Sequence, residues 1–214
     1  MANMFHEPWE VPVMADISDL AGNIVYRLPG VSDVMVRKTL QVAYADFARL
    51  SCCFVSWQDI CTKECETQYP VGAMIPGMHV SSVSEVRIDG RKLEHGRDYL
   101  ITQQTGINPL VVLRAHAMSA DPRILSVRAV EQPHYNSERA PRWFIEKYGE
   151  AVVAGTLAKL CGMKGRPWFD EETARQELVR YENFCTTARV NSFSADGSQF
   201  GSCSVNPVDT SGLL

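Results

Sequence analysis

What this 214-residue chain lacks narrows its function before any motif is considered. No stretch approaches 18 uninterrupted apolar residues, so no membrane-spanning helix is expected. The stretch MANMFHEPWEVPVMADI has no basic region followed by an apolar run, so no secretory signal is expected. Basic charge is not in surplus: 21 Lys and Arg stand against 25 Asp and Glu. The net charge of -4 argues against a protein that holds nucleic acid by neutralising phosphates. Also missing are G-x-G-x-x-G, a Walker loop, G-x-S-x-G and H-E-x-x-H. Neither a phosphate cradle nor a recognised nucleophile can therefore be placed. There is no internal repeat and no strict low-complexity tract. The seven cysteines, at 52, 53, 61, 65, 161, 185 and 203, lack the pattern of a disulfide framework, and a reducing cytosol is expected.

What is present reads as a globular domain, with 45% hydrophobic and 21% charged residues. Residues 1–15 carry prolines and acids without a period and read as an extended arm or edge strand. Asp16 can cap a short helix with the face Ile17, Leu20, Ala21 and Ile24, which Pro29-Gly30 stops. From Ser32 a longer helix follows. Val36, Leu40, Ala43, Phe47, Leu50 and Phe54 form one stripe at helical spacing. The period then changes to two. Trp57, Cys61, Cys65 and Tyr69 alternate with polar residues, which predicts one half-buried strand. Further strands are expected at Val83–Ile88, Tyr99–Ile101, Leu110–Arg114 and Ile124–Val130, with a tight hairpin turn at Asp89-Gly90.

Helix returns near Pro141, a residue suited to a first turn. Ala151, Ala154, Gly155 and Ala158 make a small-residue patch that lets another helix approach closely. Trp143 and Trp168 read as core or interface wedges. Gly162 to Gly165 ends this helix, and Asp170 caps the next. Its expected buried face is Ala174, Leu178, Tyr181, Cys185 and Ala188. After Arg189 the composition shifts to Gly, Ser, Asn and Asp with no Lys or Arg. Such a segment cannot bury enough surface to order itself alone. Its apolar residues Phe193, Phe200, Val205, Val208, Leu213 and Leu214 are spaced to dock on a partner.

Possible reactive groups have plainer readings. Cys52, Cys53, Cys61 and Cys65, with His79 downstream, lack paired C-x-x-C knuckles and read as buried core thiols. No metal and no cofactor is expected. His6, His79, His95, His116 and His134 can each act as a base, but none lies in a motif that positions a nucleophile. Cys–His catalysis stays open, since its members need not be adjacent. Arg87, Arg91, Lys92 and Arg97 are interleaved with Glu85, Asp89, Glu94 and Asp98, as on a solvated face.

The fold class expected is α+β: a bundle of about four helices with an inserted small antiparallel β-sheet and extended terminal arms. The organisation expected is an arm at 1–15, a main domain at 16–190 and a tail at 191–214. Within the domain, helices fall at 16–54 and 139–190 and the β insertion at 55–135.

This layout, with the hairpin EVRIDGRKLEHGRDYL and then PRWFIEKYGEAVVAGTLAKLCGMKGRPWFDEETA, resembles the head-to-tail adaptor (connector) proteins of tailed bacteriophages. The matching positions are Pro141, Trp143, Gly149, Glu150, Lys164, Pro167, Trp168 and Asp170, and the resemblance covers about residues 16–190. It implies a structural virion protein and not an enzyme. It also implies a homo-oligomeric ring, usually of twelve copies, below the portal protein at the head-tail junction. A tail or nozzle protein would attach beneath, DNA would pass through the lumen without specific binding, and no membrane would be involved. The chain would be made in the host bacterial cytoplasm. At -4 per copy the ring would be strongly negative and would repel phosphates. Two other classes stay open: a small cytosolic enzyme with a Cys/His or metal site in the β insertion, and a nucleic-acid-binding packaging or regulatory factor.

Overall fold

The computed structural model describes residues 12–64, 66–102, 108–117 and 121–194. The helical part is built from a one-turn 3-10 helix at Ile17–Leu20, α1 (Ala21–Arg27), α2 (Asp33–Ser51), α3 (Arg142–Cys161) and α4 (Glu171–Ser194). The Ser18 N–H donates to Asp16 Oδ1 at 2.7 Å, so the acid caps the first turn as expected. The α2 stripe lies inside: Val36, Leu40, Ala43, Phe47 and Phe54 are all buried. They meet Ile24, Phe144, Ala151, Ala154 and Leu157 in one core. Tyr44, Phe47, Phe54, Phe144 and Tyr148 form its aromatic centre, with ring centroids 5.0–6.2 Å apart.

Between α2 and α3 the expectation of one small sheet fails. The strands are β1 (Met14–Asp16), β2 (Val55–Cys61), β3 (Gln68–Pro70), β4 (Met78–Ile88), β5 (Arg91–Lys92), β6 (Tyr99–Thr102), β7 (Leu110–Leu113), β8 (Ile124–Pro133) and β9 (Arg139–Pro141). They form three antiparallel sheets among the described residues, with orders β1-β9, β2-β8-β4-β5 and β3-β7-β6. The class is α+β, but it is not a helical bundle carrying a small insertion. The four- and three-stranded sheets enclose a second core. Val80, Val86, Ile88, Leu125 and Val127 of one meet Tyr69, Val71, Tyr99, Val111 and Leu113 from the other side.

Two features hid this from the sequence. The run from Trp57 to Tyr69 is not one strand: β2 ends at Cys61, and the chain crosses to the other sheet before β3. The 11-residue β4 carries two bulges, at Val80/Ser82 and Val83/Glu85, which break the simple alternation. The hairpin turn holds as expected, with φ of 48° at Asp89 and 81° at Gly90.

The two cores are pinned together by Glu131. Its carboxylate accepts from Ser56 Oγ at 2.5 Å, Met74 N at 2.9 Å and Ile75 N at 2.9 Å. Ile75 packs in the helical core, while Val71 at the other end of the same loop packs in the sandwich core. A buried carboxylate therefore fixes the loop that joins the two modules.

Candidate functional site: the α3–α4 hairpin

The helical hairpin carries most of the residues singled out from sequence. Pro141 occupies the cap position of α3, one place earlier than a first-turn proline. Trp143 is 42% exposed, its ring centroid 5.5 Å from that of Phe54 at 64° between planes, so it lines the rim of the core rather than filling it. Ala151, Ala154 and Gly155 are buried, and Ala158 is half-buried. The bare face at Gly155 receives Tyr181 of α4, whose hydroxyl donates to the Ala43 carbonyl of α2 at 3.2 Å. One ring thus ties three helices. The face expected on α4 holds at Tyr181, Cys185 and Ala188, but Leu178 is 45% exposed and Glu177 is buried in its place.

Glu177 is inside because it has partners. Arg27 Nη2 of α1 lies 2.5 Å from its Oε1, and Arg180 Nη1 lies 3.8 Å from its Oε2. Arg180 also reaches Glu150 of α3 at 3.0 Å. This chain of charges links α1, α4 and α3 along one side of the hairpin.

The break between the helices is tightly bonded. The Asp170 N–H donates to the Cys161 carbonyl at 3.0 Å, Gly162 N–H to Ala158 at 3.1 Å and Phe169 N–H to Arg166 at 3.1 Å. Gly165 sits at φ 78°, a left-handed position that favours glycine. Asp170 caps α4 through Thr173 N at 3.1 Å and Thr173 Oγ1 at 2.6 Å, bonds that hold its carboxyl below the usual range. Trp168 packs half-buried against the core, with the Arg166 guanidinium 5.9 Å from its ring.

The far end of α4 is also held. Arg128 on β8 donates Nη2–H to the Ser192 carbonyl at 3.2 Å, a cation at the negative end of a helix. The helix continues to Ser194, past the composition shift at Arg189. Phe193 belongs to that last turn and is half-buried. Phe200, Val205, Val208, Leu213 and Leu214 lie outside the described residues, as do His6, Cys65, Cys203 and the arm up to residue 11.

Beside the hairpin, between α1 and α3, runs a groove of about 500 Å³. Leu20, Tyr26, Ile145 and Val153 line it, with Gly149 and the charged side chains of Arg27, Glu146, Glu150 and Arg180. Tyr26 is 89% exposed on its rim.

The reactive groups are scattered. Cys52, Cys161 and Cys185 are buried, but Cys61 is exposed at the end of β2, contrary to the buried reading; parity with Trp57 placed it on the outer face of the sheet. Burial pushes the thiols of Cys53 and Cys185 up to about 12, so they are weak nucleophiles. His79 and His134 stack at 4.8 Å, and burial with the neighbouring His134 lowers the His79 pKa. His116 Nε2 lies 3.0 Å from Asp98 Oδ1. Among the described residues, no group of three or more His, Cys, Asp or Glu is placed to hold a metal ion.

Sequence reasoning missed Glu131, Glu177 and the pairing of Gly155 with Tyr181. For the two glutamates a signal existed: each is an acid at a position whose neighbours make it an inward place on strand or helix. No model of a known protein family matches the chain, and comparison with curated proteins finds no match.

Proposed function

We propose that the chain is a structural virion protein: a head-to-tail adaptor that forms a ring below the portal and lets DNA pass from capsid to tail. The observation that carries this reading is the work done by the motif residues. Pro141 starts α3, Gly149 admits Leu20, Glu150 holds Arg180, Trp168 closes the core and Asp170 starts α4. Each serves the frame rather than a reacting group. A ring subunit needs a stiff hairpin, and this one is fixed at its turn, its middle and its far end. It also needs surfaces left over for neighbours. Tyr26 on α1 and Leu178 and Val179 on α4 supply exposed apolar groups.

The partners of this reading are further copies of the chain, twelve in the full ring, the portal protein and a tail or nozzle protein. DNA travels through the lumen without specific binding. The segment after Ser194, with Phe200, Val205, Val208, Leu213 and Leu214, is the portal-docking element. No helix among the described residues is long and apolar enough to cross a membrane.

The test is reconstitution on purified portal, imaged by electron microscopy. The full chain should add a twelve-fold ring to the portal, and a chain ending at Ser194 should fold but fail to attach. Absence of the protein from purified virions, together with no portal association, would overturn the adaptor reading. Attachment by the shortened chain would move the docking element elsewhere.

A further inference from the structure

Two helices carry valine on faces that meet only solvent. On α2, Val34 is 63% exposed and Val42 36%, and Lys38 stands exposed between them. On α4, Val179 is 53% exposed and Val190 48%, with Glu182 and Thr186 exposed between them. Steps of three and four residues place each set on one outward stripe. Valine is a weaker helix former than alanine, and on a wet face it buries nothing. In a lone subunit these side chains therefore lower helix stability and bring no packing.

The two stripes complement each other. None of the ion pairs among the described residues includes Lys38 or Glu182. Laid antiparallel, with Lys38 opposite Glu182, the stripes stay in register. Val34 lies four positions from Lys38 and Thr186 four from Glu182, about 6 Å along each axis. On the other side Val42 lies four positions away, about 6 Å, and Val179 three, about 4.5 Å. Beside the α2 stripe is a hollow of about 260 Å³ bordered by Ile17, Val34, Leu40 and Gln41. Its charges, Arg37 and Lys38 against Asp16 and Glu138, balance, so the hollow itself selects neither sign. Its apolar walls suit an apolar side chain. The antiparallel arrangement turns Leu178, which is 45% exposed, toward the hollow, and a parallel one would turn it away.

We propose that these faces form a head-to-tail contact between copies of the chain. The α2 stripe of one copy packs antiparallel on the α4 stripe of the next, with Lys38 paired to Glu182 across the contact. The apolar groups supply the association, and the charges fix register and partner. Because the two faces differ, each copy keeps a face for a second neighbour, and the contact closes into a ring or runs on as a filament. It rests on the self-association in the adaptor reading but requires no portal.

The test uses the full chain at increasing concentration. Sedimentation should show self-association. A zero-length carbodiimide cross-linker, applied to a mixture of isotope-labelled and unlabelled chains, should join Lys38 to Glu182 between copies. K38E and E182K should each raise the dissociation constant about tenfold or more, with circular dichroism unchanged. Mixing K38E with E182K sets opposite charges at every contact and should restore association. Association of the parent without the Lys38–Glu182 cross-link overturns the contact and leaves the adaptor reading intact. So do single reversals that leave association unchanged, or a mixture of the folded variants that associates no better than either alone. A parent chain that stays monomeric at millimolar concentration also overturns the contact, and the adaptor reading is then judged by the portal reconstitution.

Discussion

The ring of Tyr181 on α4 fills the space that a side chain at Gly155 of α3 would need: a β-carbon there would stand 2.7 Å from two of its ring carbons. The ring cannot swing away freely, because its hydroxyl is bonded to Ala43 and the ring itself is buried. Gly155→Leu should therefore lower stability by overpacking, by about 1–3 kcal/mol or more. Gly155→Ala should show the same sign. Chemical denaturation followed by circular dichroism measures both, and an unchanged midpoint for the leucine variant would refute the close approach.

The Met74 and Ile75 N–H groups both donate to the carboxylate of Glu131. Glu131→Ala strands the buried Ile75 N–H and Ser56 hydroxyl and the half-buried Met74 N–H, and should cost about 3 kcal/mol. Ser56→Ala removes one bond and should cost about 1 kcal/mol. Equal effects from the two variants would mean that the loop is held by something other than this carboxylate.

The hydroxyl of Tyr44 is buried without a hydrogen-bond partner among the described residues. Burial raises its pKa far above the ordinary phenol range. Its ring meanwhile contacts Phe54 and Phe144. Tyr44→Phe keeps the ring and removes the orphan group, so stability should stay within about 1 kcal/mol of the parent or rise. A clear loss in thermal midpoint would reveal an acceptor for that hydroxyl.

His79 has its imidazole pKa lowered from 6.5, first by burial and then by His134. The folded state thus prefers the neutral ring. Its contribution is complete above about pH 6.5 and is lost as pH falls below that value, because the unfolded chain then binds more protons. His79→Phe should flatten the decline in stability between about pH 7 and about pH 5. Parallel pH profiles for parent and variant would assign the decline to other groups.

The helices were legible because their packing is periodic. Val36 to Phe54 in α2 and Tyr181 to Ala188 in α4 keep the spacing that one buried face demands. Leu178 fell outside that face because Arg27, on another element, draws Glu177 inward. Positions 177 and 178 both fit the period of that face, and the contact with Arg27 decides between them. The Asp89-Gly90 turn was legible because positive φ at two successive residues restricts composition. The division into two sheets was not. Whether Trp57 and Tyr69 share a strand depends on which partners lie opposite, and those are Arg128 and Val111, far away in sequence. The candidate site was legible in its motif residues but not in its contacts. Gly155 announces a close approach without naming Tyr181, and the groove exists only once α1 has folded against α3.

The sandwich leaves the helical layer after Phe54 and returns at Glu131, whose N–H donates to the Phe54 carbonyl at 2.8 Å. The neighbouring pair Ser56 and Glu131 are 75 positions apart in sequence. Closing a flexible loop of that size costs about 4 kcal/mol of chain entropy. A sandwich that has already folded holds its two ends side by side and removes this cost before α2 meets α3. The expected order on refolding is strand pairing between β2 and β8 first and burial of the aromatic cluster around Phe47 and Phe144 after it. On this account the sandwich acts as a clasp between two distant helices, and variants that weaken it should slow the appearance of the helical core even where they never touch a helix.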